Sequence, residues 1–365
     1  MNEKIEVGVL GATGMVGERL VRLLQGHPWF RLTEVGASDR SAGSRLGDRI
    51  ASNEEGPLPE EAAELPLRSL DDTWTAPVLL SALPSNVAGD LEVKLASAGH
   101  LVVSNASSHR MGSDVPLIIP EINAAHLGLL EAQARRFSGG LVTNPNCAVS
   151  AFALPLAALQ DAFGLEQVVV TTFQSISGAG KPGPSAADLL DNVLPYIAGE
   201  EEKIAKEPRK ILGRIEGDRI VDADFLVSAT STRVGVAHGH LASVSVRLAR
   251  DASVEEATQA IRSFKSAVAR EALPSSPEPA IEVATEPDRP QPRLDRDRGQ
   301  GMACTVGRIR RCEVGHIKFL SLAHNLVRGA AGAALQNAEL CHARGLTRRF
   351  AGAFGAAAAA GTPDR

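Results

Sequence analysis

The chain has 365 residues, 44% of them hydrophobic, and a formal net charge of -5. That length exceeds a typical single domain and predicts two domains with separate cores. One Tyr, two Trp and no basic excess argue against a base-stacking surface or a polyanion partner, so no nucleic acid is expected.

The segment Met1–Val7 is charged and enters a strand at once, unlike a signal peptide. No apolar run reaches membrane-spanning length, and a soluble, cytoplasmic protein is expected. Ile5–Leu10 is a short β-branched run ending at Gly11, and Met15–Leu24 reads as a helix. Between them stands Gly11-Ala12-Thr13-Gly14-Met15-Val16-Gly17. Glycines at a strand-to-helix junction permit a tight turn and bring backbone N–H groups close to a pyrophosphate, so this loop predicts a dinucleotide site.

A second strand, Leu32–Ala37, leads into Ser38-Asp39-Arg40-Ser41. An acid at this place binds the ribose hydroxyls of NAD, and Asp39 is available for that. Arg40 between two hydroxyls suits a 2′-phosphate better, because a guanidinium offers planar paired donors, and NADP is the expected cofactor. Val78–Ala82 and Leu101–Ser104 are further strands, separated by a helix over Val87–Ala98. Strands alternating with helices predict a parallel sheet with crossover helices.

Cys147, Cys304, Cys312 and Cys341 lie far apart with no CxxC pair, a poor pattern for zinc or for a disulfide framework, and no metal is expected. Three of them read as small buried hydrophobes. Cys147 differs: Thr143-Asn144-Pro145-Asn146-Cys147 puts it after an apolar strand and at the start of an apolar helix, Val149–Leu159. A helix N-terminus favours a thiolate and offers N–H groups to an oxyanion forming beside it.

Beyond Cys147 longer strands are expected at Val168–Gln174, Val221–Ser228 and Ala242–Leu248, in an antiparallel or mixed sheet. The stretch Thr232–His240 offers two bases, His238 and His240, beside Arg233. Residues two apart on a strand share a face, so spacing does not choose between the two histidines. Pro274–Pro279 and Pro287–Pro292 read as loops, and His324–Arg344 reads as one long helix. The Ala/Gly-rich tail, 348–365, is expected to be disordered, and no internal repeat is present.

Taken in order, GATGMVG, SNASSHRMGSDVPLIIPEIN at 104–123, NPNCAVS at 144–150, FQSISGAGKPG at 173–183, EEKIAKEPRKIL at 201–212, STRVGVAHGH at 231–240, DRPQPRLDRDRGQGMACTVGRIR at 288–310 and HNLVRGAAGAALQNAEL at 324–340 resemble the archaeal and fungal branch of the aspartate-semialdehyde dehydrogenase family. The resemblance runs to about Leu346. It implies an α/β fold: an N-terminal Rossmann-type domain, 1–144, to which the helix 324–344 returns, and an α+β catalytic and dimerisation domain, 145–323, with a mixed sheet. It also implies a homodimer or homotetramer, and a role in lysine, threonine and methionine synthesis.

The chemistry implied is attack of Cys147 on aspartyl 4-phosphate, loss of phosphate, and reduction of the thioester by NADPH to aspartate semialdehyde. By the same resemblance His240 is the acid/base and Gln174 orients the acyl group. Arg233 binds the α-carboxylate and Glu200 the ammonium, while Lys203, Arg110 and Asn105 hold phosphate. Ser177, Gly178 and Asn325 join the cofactor site. The sequence departs from the family at His238, where Asp is more usual, at Gly235, where Pro is common, and at Asp39. Alternatives are an acyl-CoA reductase of the malonyl-CoA type, which keeps Cys147 and His240 but needs no ammonium site, and a catalytically silent dinucleotide-binding module. N-acetylglutamyl-phosphate reductases usually carry Gly where this chain has Asn146.

Overall fold

The run Ile5–Leu10 forms strand β1, buried on both faces from Val7 onward as a central parallel strand requires. The computed structural model describes residues 3–50 and 56–347, so the tail from Arg348 lies outside the described residues. Around β1 stand β2 (Phe30–Ala37), β3 (Leu67–Ser69), β4 (Val78–Ser81), β5 (Leu101–Ser104) and β6 (Gly140–Thr143). Their spatial order is β3-β2-β1-β4-β5-β6, every pairing is parallel, and the order reverses direction between β1 and β4. A parallel sheet with that order is the dinucleotide-binding architecture, and ligands bind at the carboxyl ends of strands beside the switch point. Helix α1 (Met15–Leu24) follows β1, and α2 (Ser85–Ser97) joins β4 to β5.

Local chemistry explains the tightest part of this core. A Cβ on Gly36 would stand 2.6 Å from the Trp74 ring, and one on Gly8 3.2 Å from it, so the indole occupies space that only glycine strands leave open. These elements belong to one compact unit, formed by the described residues within 3–116, 127–144 and 334–347. The final helix, Gly332–Ala343, delivers buried Glu339 to this unit, with Oε1 3.0 Å from Nε2 of His27.

The second unit comprises Leu117–His126 and Pro145–Ala333. The short segment 117–126 therefore lies outside the boundary expected at 144. The unit's main sheet contains β7 (Leu165–Gln174), β10 (Leu226–Arg233), β11 (His240–Leu248), β12 (Ile281–Val283), β13 (Cys304–Arg311) and β14 (Ile317–Ala323). A separate hairpin pairs β8 (Arg214–Glu216) with β9 (Arg219–Val221). The main order is β10-β7-β11-β14-β13-β12, with parallel pairs at both edges and antiparallel pairs between, which is the mixed sheet expected. Along β11, Ala242, Val244, Val246 and Leu248 are buried with a period of two. They join Phe152, Leu156 and Leu159 in one core.

Three expected elements are corrected. The strand expected over Val221–Ser228 is two strands. Asp222 and Asp224 interrupt it, Ala223 N–H donates to the Arg209 carbonyl, and β10 starts afresh at Leu226 beside β7. The helix after Cys147 is also broken, into a single turn α3 (Cys147–Ser150) and α4 (Ala153–Phe163). Pro155 has no N–H for the Ala151 carbonyl, which instead accepts the Ser321 hydroxyl at 2.5 Å. Finally, His324–Arg344 is not one regular helix. A wide π turn over Val327–Ala331 precedes the α-helix and brings Gly329 so near Cys147 that a Cβ there would stand 2.7 Å from the Cys147 Cβ.

Candidate active site

In the first unit the glycine loop leaves β1 at Gly11 with φ +78°, and Gly11 and Ala12 N–H groups both donate to the Gly36 carbonyl. Gly14 takes an extended conformation at the N-cap of α1, with no side chain bonded to the helix end. Met15, Val16 and Gly17 thus present first-turn N–H groups beside Thr13. A Cβ on Gly17 would lie 2.1 Å from the Gly11 carbonyl oxygen, so helix and loop meet only because glycine is there. Gly17→Ala is expected to cost about 1–3 kcal/mol in overpacking and to weaken dinucleotide binding about tenfold or more. Thermal melting and fluorescence titration with NADP read the two effects, and unchanged affinity would argue against this loop as the site.

Ser38, Asp39 and Arg40 are exposed just past the end of β2, and Ser41 is half-buried. Asp39 accepts the Ser69 hydroxyl at 2.7 Å, which turns its carboxylate toward the end of β3. On the same unit Asn105 follows β5. Its side-chain amide donates to the Ser81 carbonyl at 2.8 Å and accepts from Asn144 at 2.8 Å, while Arg110 donates to its backbone carbonyl at 2.6 Å. Asn105 and Arg110 are therefore brought together. The third expected phosphate ligand, Lys203, belongs to the second unit.

In the second unit Cys147 is the first residue of α3, behind Asn146, whose side chain caps the turn by accepting Ala148 N–H at 2.8 Å. Its Sγ lies 3.3 Å from Nε2 of His240. The other cysteines are buried, and burial pushes the Cys304 and Cys341 thiols up to about 11 and about 12. Cys147 alone is partly exposed.

The two histidines do not share a strand. His240 opens β11 and is buried, whereas His238 sits half-exposed in the loop before Gly239, whose φ is +99°. The turn at Gly239 separates them, and it is His240 whose Nε2 lies beside the sulfur. Burial pushes the His240 imidazole down to about 3, helped by the nearby Arg233 charge and opposed by Glu200.

Arg233, also buried, ends β10 and donates Nη1–H to the Ser175 carbonyl at 2.8 Å. Burial lowers its pKa, against the attraction of Cys147 and Glu200. Glu200 begins helix α5 (Glu200–Ile211). Among three consecutive glutamates it is the buried one, while Glu201 accepts Ser231 N–H and Glu202 is exposed. Glu200 accepts Lys203 Nζ at 2.9 Å, Asn146 Nδ2 at 2.9 Å and Gln174 Nε2 at 3.3 Å. Burial works to raise its pKa, but the Lys203 bond and charge and the two amides outweigh it and hold it below the usual range.

Cys147, His240, Gln174, Arg233, Glu200 and Lys203 thus form one connected cluster. Gly178 packs into it: a Cβ there would stand 2.8 Å from both Arg233 Nη1 and His240 Cε1. Ser177 and Asn325 sit behind, hydrogen-bonded to each other at 2.9 Å. Three residues escaped the sequence reading. Glu207, buried on α5, accepts Asn146 N–H at 2.5 Å. Ser175 donates its N–H to His240 Nδ1 at 3.0 Å. Glu121 binds Arg328 through two charged bonds of 2.6 and 2.9 Å. Glu207 had a readable signal, lying seven residues after Glu200 on the same helix face; the others had none.

Two family models match this chain, "Semialdehyde dehydrogenase, NAD binding domain" over residues 6–130 and "Semialdehyde dehydrogenase, dimerisation domain" over 156–328. An aspartate-semialdehyde dehydrogenase of Archaeoglobus fulgidus is 48% identical over 340 residues, covering 92% of this chain and 98% of that one. One from Aspergillus fumigatus is 43% identical over 356 residues, covering 94% and 98%. The crystal structure of aspartate semialdehyde dehydrogenase with NADP from Candida albicans superposes with a TM-score of 0.87 at 37% identity, over 94% of this chain and all of that one. No helix among the described residues is long and apolar enough to cross a membrane.

Proposed function

This chain belongs to the aspartate-semialdehyde dehydrogenase family, and from that membership we propose that it reduces L-aspartyl 4-phosphate to L-aspartate 4-semialdehyde, releasing phosphate, through a thioester on Cys147. The observation that carries this reading is the 3.3 Å approach of Cys147 Sγ to His240 Nε2 beside Arg233 and Glu200. A silent dinucleotide-binding module has no use for that cluster.

Cys147 attacks the acyl carbon, and the first N–H groups of α3 face the oxyanion that develops. His240 moves the proton at Nε2. Arg233 offers a fork of donors to the substrate's α-carboxylate, and Glu200, held ionised by Lys203 and two amides, receives its ammonium. Gln174 orients the acyl group, and Lys203, in the same unit, takes the phosphate. The glycine loop fits a dinucleotide, because Gly17 tolerates no Cβ and the end of α1 carries no capping side chain. Gly11, Thr13, Gly14, Met15, Val16 and Gly17 hold the pyrophosphate, and Ser38, Arg40 and Ser41 the ribose end. When bound, NADPH supplies the hydride that reduces the thioester.

Preference for NADP is supported by Arg40, since Asp39 is engaged by Ser69. Arg40→Ala is expected to raise KM for NADP about tenfold or more while changing that for NAD far less; equal changes would remove Arg40 from the phosphate site. Self-association, as a homodimer, is supported by the dimerisation-domain match and by exposed Val169 on β7 and Leu226 on the neighbouring edge strand β10. The test of the whole reading is phosphate-dependent oxidation of aspartate semialdehyde with NADP. Reduction of malonyl-CoA by NADPH, in place of aspartyl phosphate, would move the enzyme to the acyl-CoA class.

A further inference from the structure

The second unit carries a cleft of about 420 Å³, within the size range of small-molecule sites. Four segments enclose it. They are the face of α4 that presents Ala157, Gln160 and Asp161, the end of α5 with the start of β8, the stretch 264–267 after helix α6 (Val254–Arg262), and the segment 121–126. None of the residues clustered around Cys147 lines it. Ile122, Leu212, Ile215 and Phe264 do, and each is only half-buried, so the cleft keeps apolar surface in contact with water.

The charges in this cleft are incompletely matched. Glu121 is bound by Arg328, and Arg214 is held by Glu216 at 2.8 Å. His126 adds no charge near neutral pH: burial lowers its pKa, its Nε2 meets the Gly213 carbonyl and its Nδ1 accepts from Asn123. Asp161 and Lys265 remain. Both are exposed, and neither makes a hydrogen bond or ion pair among the described residues, so they also stand beyond ion-pair distance of each other.

Asp161 is placed against its own stability. It lies in the last turn of α4, where the partial negative charge of the helix end disfavours an anion, and α4 contains no basic residue to offset it. Burial by the surrounding protein also raises its carboxyl above the ordinary value. A carboxylate in such a setting, with no counter-charge of its own, attracts an incoming cation.

We propose that this cleft binds a free α-amino acid with an apolar side chain. Asp161 receives the ammonium, Lys265 the carboxylate, and the side chain lies on Ile122, Ile215 and Phe264. A zwitterion satisfies two opposite charges that cannot satisfy each other, and an apolar side chain displaces water from the half-buried wall. Aspartate would set a second carboxylate against that wall, an uncompensated burial of charge. The ligand thus differs in class from the substrate proposed above, and the inference stands independently of that reaction.

Calorimetric titration of the full-length protein with L-leucine, L-methionine and L-phenylalanine is expected to show saturable binding of at least one. No saturable binding of any of the three up to about 10 mM overturns the proposal. The matching amine and the matching acid (3-methylbutylamine and 4-methylpentanoate in the case of leucine) each lack one charge and are expected to bind about tenfold or more weakly. Equal affinity for either overturns the zwitterion. Asp161→Asn and Lys265→Met are each expected to weaken binding about tenfold or more with kcat unchanged. Arg233→Ala, which disables the carboxylate fork beside Cys147, is expected to leave it unaltered. Wild-type affinity in either cleft variant, or lost affinity in Arg233→Ala, puts the ligand elsewhere and overturns the site. A changed oligomeric state of the cleft variants in size-exclusion chromatography assigns the cleft to a contact between copies, which overturns it too. A wild type inactive towards aspartate semialdehyde would remove the proposed reaction and leave these titrations to decide the cleft.

Discussion

Cys147→Ala is expected to lose turnover by on the order of 10⁴-fold or more while binding NADP with near wild-type affinity. The sulfur is the only atom in the cluster able to carry the acyl group. His240, Arg233 and Glu200 can orient a substrate but offer nothing that forms a reducible thioester. Alanine keeps α3 helical, and the Asn146 cap and the Asn146–Glu200 bond do not involve the sulfur. The dinucleotide loop belongs to the other unit. Steady-state assays in both directions, with fluorescence titration of NADPH, separate chemistry from binding. Turnover within tenfold of wild type would end the covalent mechanism, and lost NADP affinity would reveal a folding defect.

The largest stability effect is expected at Glu121→Gln. Glu121 and Arg328 are buried at 1% and 2% exposure and joined by two charged hydrogen bonds. Removing one charge of such a pair strands the other in a medium that solvates it poorly, at about 3–5 kcal/mol. For a domain of this size that lowers the melting temperature by about 10 °C. Arg328 lies in the π turn whose Gly329 abuts Cys147, so kcat is also expected to fall. Scanning calorimetry checks the first effect. A melting temperature within about 2 °C of wild type would mean that water already reaches the guanidinium.

Much of the fold was legible because its signals are local. A β-branched run ending in Gly11, followed by helix spacing, is enough to place a parallel strand and its phosphate loop, since glycine's backbone freedom and the absence of a Cβ act within a few residues. The same holds for β2, β4 and β5 and the helix between the last two, whereas β3, three residues long, was not read. The misread elements are those in which a distant atom decides. No sequence pattern shows that Ser321 takes the Ala151 carbonyl and so stabilises the break between α3 and α4. Nor does any pattern show that Arg328 meets Glu121, 207 positions away.

The candidate site divides along the same line. Cys147 was readable from its own junction, and Arg233 with a histidine pair from theirs. Period-two spacing left His238 and His240 equivalent until the Gly239 turn put one in a loop and the other on β11. Glu200 stood out from its neighbours only once α5 turned a single carboxylate inward.

Residue order by itself therefore determined the family of chemistry: a dinucleotide loop, a thiol at a helix mouth, and a cation and imidazoles to serve it. Tertiary structure alone decided which imidazole meets the thiol and what lies behind it. Hydrogen bonds reach about 3 Å, and only folding brings groups 93 positions apart, such as Cys147 and His240, within that range.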